Sequence, residues 1–223
     1  MSNTLAMPWV QTASGKAFPL IGADPSLVDF ATDIAGPLAR CARFAGHIGS
    51  GVYSVAQHSV EGADALLRET GDRRLAALFL LHDAHEAYIG DISTPVQAAL
   101  AQMADMLRGD GGGQLMRQSL KALQHHLDVA IHEAANLALP AYHEPAMIKA
   151  MDIRMLITER NQLLGPPPCP WAPIIEAAQP IRRIGEMRVW PWPEAADEFM
   201  ARAKRWLPCF AKSPALKKPR SAA

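Results

Sequence analysis

The chain has 223 residues, of which 49% are hydrophobic, and its 22 basic and 22 acidic side chains balance. This composition predicts one globular domain with a substantial core, and the absence of net charge argues against nucleic acid or an anionic membrane as a partner. Three widely spaced cysteines without a Cys-x-x-Cys pair argue against a disulfide framework or zinc knuckle and favour a reducing compartment.

The N-terminal residues "MSNTLAMPWVQT" lack the basic-then-apolar order of a signal peptide. No segment reaches the roughly 18 consecutive apolar residues that a membrane span requires. We therefore expect a cytoplasmic protein. Residues 1–25 are punctuated by Gly and Pro, which predicts an irregular N-terminal extension with room for a short hairpin.

Helical periodicity dominates the rest of the chain, and no alternating run demands a sheet, so the predicted fold class is all-α. The "ADMLRGDGGGQ" stretch predicts a surface loop, and Gly36-Pro37 an interruption of the first helix. The helices are expected to begin and end near these positions: 26 onward, 53–68, 72–87, a short one from 95, 114–138, 145–164 and 193–206. We expect a helical core over 26–165, a Pro-rich segment and C-terminal helix packed on it over 166–210, and a disordered basic tail over 211–223.

A histidine and an aspartate end the most apolar segment of the chain, "AALFLLHD". Burying His82 or Asp83 costs several kcal/mol unless each is paired or bound to a metal. The two residues are equally well explained as a hydrogen-bonded pair in the core. A metal site is the alternative that also involves other parts of the chain.

Two further candidate ligands lie on other predicted helices. His58 shares its helical face with three small residues, Ser54, Gly62 and Ala65, which leave room for a group to approach the ring. Asp152 lies on an otherwise apolar stripe, where a carboxylate is unexpected. His58 can equally be a structural core histidine, and Asp152 can pair with Lys149 or Arg154. Two imidazoles and two carboxylates together suit one divalent transition metal, Mn, Co, Zn, Fe or Ni, with Mg possible.

The order His58, His82-Asp83 and Asp152 resembles the HD-domain metal-dependent phosphohydrolases. The "RF" before "QHS", followed by "HDAHEAYIGDISTPV", is similar to the YfbR-like 5'-deoxyribonucleotidase branch of that superfamily. The similarity runs from about Arg43 to Glu159. It implies a helical bundle with a metal site between helices, and His58, His82, Asp83 and Asp152 as the ligands.

The resemblance also assigns three residues near the phosphate. Asp91 is expected to give a proton to the leaving 5'-oxygen or to orient the attacking water, with Glu86 as its partner. Arg43 matches the phosphate-side arginine, since a guanidinium binds phosphate oxygens with two parallel hydrogen bonds. The alternatives are an exposed helical glutamate for Glu86, a helix cap for Asp91, and an ion pair with Asp29 or Asp33 for Arg43.

Weaker assignments concern the substrate. Phe44 is a candidate platform for the sugar or base, although a core position fits equally well. His47 and Thr94 are candidate substrate-binding residues, and Thr94 can instead cap a helix. His85 lies about 100° from Glu86 on a regular helix, so we expect it at the surface or in a subunit contact.

The expected activity is removal of the 5'-phosphate from (deoxy)ribonucleoside monophosphates by a metal-activated water. A deoxynucleoside triphosphate triphosphohydrolase with the same site, and a non-catalytic metal or nucleotide binder, stay open as alternatives. A peptidase is not expected because the HExxH arrangement of zinc proteases is absent. The amphipathic helix at 114–138 is compatible with a homodimer, although the fold can equally bury that face itself.

Overall fold

A computed structural model describes residues 7–49, 51–182 and 185–211 of the chain. Strands β1 (Trp9–Gln11) and β2 (Ala17–Pro19) form an antiparallel hairpin with Val10 opposite Phe18. The helices are α1 (Gly36–Arg40), α2 (Val55–Thr70), α3 (Arg73–Leu81), α4 (Glu86–Ile89), α5 (Thr94–Arg108), α6 (Gly112–Ala134), α7 (Glu144–Leu163), α8 (Pro173–Glu176) and α9 (Trp192–Trp206). The all-α prediction is confirmed.

The central element is α3, whose residues from Leu75 to Leu81 are all buried. It packs against α2, and both helices contact α7 and α9. The α2–α3 connection follows from local chemistry, because Gly71 ends α2 in the left-handed conformation (φ 70°) and the Asp72 carboxylate caps the first amides of α3. No helix within the described residues is long and apolar enough to cross a membrane.

Two expected helices begin or end elsewhere. The first helical stretch starts with a 3₁₀ turn at Pro25–Leu27 and continues as a π-helical segment, Phe30–Ala35, which runs directly into α1. The Asp29 carboxylate accepts hydrogen bonds from the Ala31 and Thr32 amides and thereby sets its start. The helix expected over 72–87 stops at Leu81, and α4 begins only at Glu86.

The predicted glycine-rich loop is present but much shorter than expected, because only residues 109–111 form an exposed connection. Helix α5 is longer than expected and runs through much of that stretch to Arg108, and α6 already begins at Gly112. A Cβ at Gly112 would lie 2.3 Å from the Ala104 carbonyl oxygen, and one at Gly113 would lie 2.6 Å from that of Ala101. These glycines therefore allow α6 to start against the backbone of α5. Of the expected tail, residues 212–223 lie outside the described part of the chain.

Candidate metal centre

Four candidate ligand atoms, from helices α2 and α7 and from the turn that follows α3, converge at one point. His58 Nε2 lies 3.3 Å from His82 Nε2, 3.8 Å from Asp83 Oδ2 and 3.5 Å from Asp152 Oδ1. His82 Nε2 lies 3.1 Å from Asp83 Oδ2 and 4.0 Å from Asp152 Oδ1. Atoms that each lie about 2.1 Å from one metal ion are separated by roughly 3.0 to 4.2 Å. These five separations therefore fit a single ion, and His58, His82 and Asp83 each have a ligand atom within 4.8 Å of the others.

The outer ring nitrogens of both histidines are held by hydrogen-bond acceptors. His58 Nδ1 lies 2.5 Å from Glu159 Oε1, and His82 Nδ1 lies 2.6 Å from the Phe79 carbonyl oxygen. Because both acceptors lack a proton to give, each Nδ1 is assigned as the protonated nitrogen, and each Nε2 then directs a lone pair at the other. Such hydrogen bonds typically orient metal-ligating histidines.

Without a cation, this arrangement attracts protons. Burial lowers the pKa of His82, but the neighbouring Asp83 and Asp152 carboxylates outweigh burial and raise it. Burial alone would raise the pKa of Asp83, but the attraction of His82, His58 and Arg43 is stronger, so the pKa of Asp83 is lowered. A metal ion and a proton therefore compete for the same nitrogen of His82.

The base of the site is filled by an aromatic ring. A Cβ at Gly62 would lie 2.2 Å from Phe79 Cε1, so only glycine lets this ring pack against α2. The centroid of the Phe79 ring lies 4.3 Å from that of the His82 ring and 5.8 Å from that of the His58 ring. The sequence predicts open space beside His58, but at Gly62 the Phe79 ring fills that space and packs against both histidines.

Asp152 takes part in both interactions that the sequence leaves open. Its Oδ1 atom faces the histidines, while its Oδ2 atom accepts a hydrogen bond of 2.8 Å from Lys149 Nζ. Arg154 instead pairs with Glu69. Since the side chain of Lys149 is 69% exposed, this pair is largely screened by solvent and leaves Oδ1 available.

Arg43 joins the ligand cluster through a buried network. Its Nη1 atom lies 3.5 Å from Asp83 Oδ2, and its Nε atom donates to Glu159 Oε2 at 3.2 Å. The alternative pairing with Asp29 or Asp33 was wrong, because Asp29 caps the π-helical segment and Asp33 accepts hydrogen bonds from Ser14.

The backbone after Arg43 is unusual. Phe44 and Ala45 adopt left-handed conformations with φ of 55° and 50°, which cost non-glycine residues roughly 1–2 kcal/mol each. The Arg43 amide also bonds the Tyr53 carbonyl oxygen at 2.9 Å. Strained backbone of this kind clusters at functional sites, and here it directly follows the arginine expected at the phosphate.

Glu159 is a site residue for which the sequence reasoning predicts no role. It is fully buried and accepts hydrogen bonds from His58, from Arg43 and from the Tyr53 hydroxyl at 3.0 Å. Burial raises the pKa of Glu159, but Arg43 and His58 outweigh that effect and hold it at about 2. Glu159 follows Asp152 by two helical turns on α7, so the face shared with Asp152 is a signal that could have identified it.

Glu86 is not the exposed helical glutamate of the alternative interpretation. Its Oε2 atom is buried without a hydrogen-bond partner among the described residues. Burial and repulsion from Asp83 and Asp91 raise the pKa of Glu86 to about 10. The carboxyl group of Glu86 therefore retains its proton at neutral pH while no cation is bound nearby.

The surface prediction for His85 was wrong. His85 is buried, and its Nδ1 atom lies 2.9 Å from Asp128 Oδ1 on α6. A regular rotation of 100° per residue does not apply, because hydrogen bonds between residues three apart join Leu81 to Ala84 and Asp83 to Glu86. This turn directs His85 inward, and one ligand atom each of Asp83, His85 and Glu86 lies within 4.8 Å of the others.

Asp91 lies half-buried beside the cluster, and its amide donates to Cys41 Sγ at 3.3 Å. Burial raises the pKa of Asp91 despite the opposing attraction of Arg43. Burial also raises the pKa of the Cys41 thiol, to about 11, so this thiol stays protonated at neutral pH. The helix-cap alternative for Asp91 was wrong, because Ser93 is the N-cap of α5 and makes no side-chain cap.

The three weaker substrate candidates stay predictions. The Phe44 ring is half-buried, with its centroid 6.5 Å from that of Trp171. His47 and Thr94 are exposed, and neither side chain makes a hydrogen bond or ion pair with the cluster in the described part of the chain. The cluster formed by His58, His82, Asp83, His85 and Glu86 can therefore hold a metal ion independently of them.

Comparison with known proteins gives two curated relatives, while no protein-family model matches the chain. "Uncharacterized protein YfdR" of Escherichia coli is 33% identical over 159 residues, which cover 70% of this chain and 73% of the relative. "Uncharacterized protein RCAP_rcc00048" of Rhodobacter capsulatus is 34% identical over 203 residues, which cover 87% of this chain and 93% of the relative. The chain belongs to the family of these two uncharacterized bacterial proteins.

Proposed function

We propose that this protein is an HD-type metal-dependent phosphohydrolase that removes the 5'-phosphate from (deoxy)ribonucleoside monophosphates. The observation that carries the proposal is the set of four ligand atoms from His58, His82, Asp83 and Asp152, 3.1 to 4.0 Å apart where measured. Their order along the chain matches the HD resemblance. The buried arginine beside them, Arg43, adds a group that suits phosphate.

The donor set supports one divalent ion, Mn, Co, Zn, Fe or Ni, with Mg as a harder alternative. Two imidazole nitrogens favour the transition metals, and two carboxylate oxygens keep the harder ions compatible. Such an ion, when bound, lowers the pKa of a coordinated water and polarises a phosphoryl oxygen. His58 and His82 would hold it with fixed ring orientations, because Glu159 and the Phe79 carbonyl bind their outer nitrogens.

Arg43 is suited to the phosphate because only part of its guanidinium is committed. Its Nε atom is fixed by Glu159, whereas Nη1 makes only a long contact of 3.5 Å with Asp83 Oδ2. Since Asp83 Oδ2 also faces His58 and His82, it would be a ligand of a bound cation, and Nη1 of Arg43 would then be available for a phosphate oxygen. Arg43 stays positively charged, because the attraction of the Glu159 and Asp83 carboxylates outweighs burial and raises its pKa.

The leaving nucleoside oxygen needs a proton, and Asp91 is the proposed donor. Burial raises the pKa of Asp91, which favours the protonated form that a general acid requires. Glu86 is the proposed partner of Asp91, because it lies close enough for the charge of Asp91 to raise the pKa of Glu86. The Cys41 thiol positions the Asp91 backbone.

The triphosphohydrolase alternative has less support from the charges around the cluster. Three phosphates require several basic side chains, but among the described residues only Arg43 and Lys149 form ion pairs with the four ligands, apart from the histidines themselves. A non-catalytic binder would not need the half-buried carboxyl groups of Glu86 and Asp91. The monophosphate reaction therefore uses more of the site than either alternative.

Phosphate release from nucleotides tests the proposal. Metal-stripped protein is supplied with Mn²⁺, Co²⁺, Mg²⁺ or Zn²⁺ and a panel of ribo- and deoxyribonucleoside 5'-mono- and triphosphates, alongside Asp83→Ala and the exposed control Asp110→Ala. We expect metal-dependent release of inorganic phosphate from monophosphates that Asp83→Ala abolishes and Asp110→Ala retains. Tripolyphosphate from triphosphates would support the alternative enzyme, and no product from any nucleotide would refute a nucleotide substrate.

A further inference from the structure

A second group of potential ligands lies next to the four-ligand site. One ligand atom each of Asp83, His85 and Glu86 lies within 4.8 Å of the other two. Asp83 belongs to both groups, and its Oδ2 atom faces His82 and His58. Its other oxygen, Oδ1, makes no hydrogen bond with any described residue, so it is available to a second ion.

We propose that this protein binds a second divalent cation between Asp83, His85 and Glu86, with Asp83 bridging the two metal positions. The second position takes a hard or borderline ion such as Mn²⁺, because two of its three protein ligands are carboxylates. Solvent or substrate oxygens complete its coordination. The inference rests on the metal site of the proposed function, since the bridging carboxylate is shared, but it does not require hydrolytic activity.

The orientation of His85 supports this position. Asp128 accepts from His85 Nδ1 at 2.9 Å, which leaves Nε2 as the ring nitrogen with a free lone pair. Glu159 holds His58 through the same kind of carboxylate contact. Metal-ligating histidines regularly have such a carboxylate on their other ring nitrogen, so the contact with Asp128 is the one expected of a ligand.

Glu86 supplies the second, independent observation. Its Oε2 atom is buried and has no hydrogen-bond partner in the described part of the chain. A buried polar atom without a partner is unfavourable, and a cation between Glu86, His85 and Asp83 would give this atom a partner. The site already described uses Glu86 only as a partner of Asp91 and does not explain this atom.

Manganese stoichiometry tests the proposal on the full-length, metal-stripped protein. Electron paramagnetic resonance detects free Mn²⁺ during a titration and distinguishes an isolated bound ion from two spin-coupled ions. We expect two equivalents per chain with a coupled signal for the wild type, and one equivalent with an isolated-ion signal for His85→Gln. The exposed histidine variant His126→Gln is the matched control and should retain two.

The outcomes separate this inference from the proposed function. One equivalent at saturation in the wild type, or two in His85→Gln, would overturn it. If His85→Gln does not fold, Glu86→Gln provides the same comparison, because it removes a ligand charge without changing side-chain shape. Two bound ions without nucleotide hydrolysis would support the second metal position and refute the proposed activity. Nucleotide hydrolysis with only one bound ion would support the activity and refute the second position.

Discussion

Replacing Glu86 by glutamine should stabilise the metal-free protein at neutral and alkaline pH. Burial, together with the charges of Asp83 and Asp91, raises the pKa of Glu86 from 4.5 to about 10. Above pH 4.5 the unfolded chain releases this proton, whereas the folded protein retains it until about pH 10. The stabilising contribution of the protonated group is therefore complete below pH 4.5 and declines as the pH rises through this window.

The size of this pH effect follows from one proton, which Glu86 keeps in the folded protein and releases in the unfolded chain. The free energy of unfolding should fall by up to about 1.4 kcal/mol per pH unit, or at most about 4 kcal/mol between pH 5 and 8. Glutamine has nearly the same shape and does not titrate, so Glu86→Gln should lack this decline. The difference between the two proteins should therefore widen steadily with pH.

Urea unfolding of metal-stripped protein at a series of pH values between 5 and 8 measures this difference. Taking wild type minus variant removes the contributions of the other titrating groups that both proteins share. Glu133→Gln is the matched control, because Glu133 is exposed on α6 and should give a difference near zero at every pH. Parallel stability curves for wild type and Glu86→Gln would refute the burial argument.

Three other variants probe the support of the site. Glu159→Gln should weaken Mn²⁺ binding by about 10- to 100-fold in calorimetric titration, and unchanged affinity would exclude a supporting role. Gly62→Ala places a Cβ 2.2 Å from the Phe79 ring, so thermal unfolding should show a loss of about 1–3 kcal/mol or more; full stability would contradict the close packing. Lys149→Ala should cost less than about 1 kcal/mol, because its pair with Asp152 is exposed, and a larger loss would show that the pair is not screened.

The helices were predictable wherever local chemistry determines them. Ser54 and Asp72 cap α2 and α3, Gly71 ends α2, and Pro145 lies in the first turn of α7. These signals act within a few residues, so the sequence alone locates them. The glycines that begin α6, Gly112 and Gly113, were misassigned to a loop because they are needed for the close approach to the backbone of α5. Local turn preferences carry no information on that tertiary contact.

The residues of the site also fall into those that the sequence predicted and those that it did not. The resemblance named the four ligands, and the structure brings all of them together with Arg43. His85 was misplaced because the chain leaves regular helix geometry at His82, where the ring nitrogen Nδ1 bonds the Phe79 carbonyl. Glu159 received no role because its burial depends on how α7 packs against α2, and the face that it shares with Asp152 on α7 is the signal in the sequence that could have pointed to it.

Glu159 explains why the metal ligands and the expected phosphate-binding residue lie together. Its Oε1 atom fixes the ring of His58, and its Oε2 atom fixes the Nε of Arg43. One fully buried carboxylate thus sets the position of a metal ligand and of the guanidinium relative to each other. Breaking a buried ion pair typically costs about 3–5 kcal/mol, so neither group can shift without disturbing the other. If the site binds metal and phosphate as proposed, Glu159 would couple the two. Tyr53 would link that coupling to the strained loop after Arg43, because its hydroxyl bonds the same carboxylate and its carbonyl oxygen accepts from the Arg43 amide.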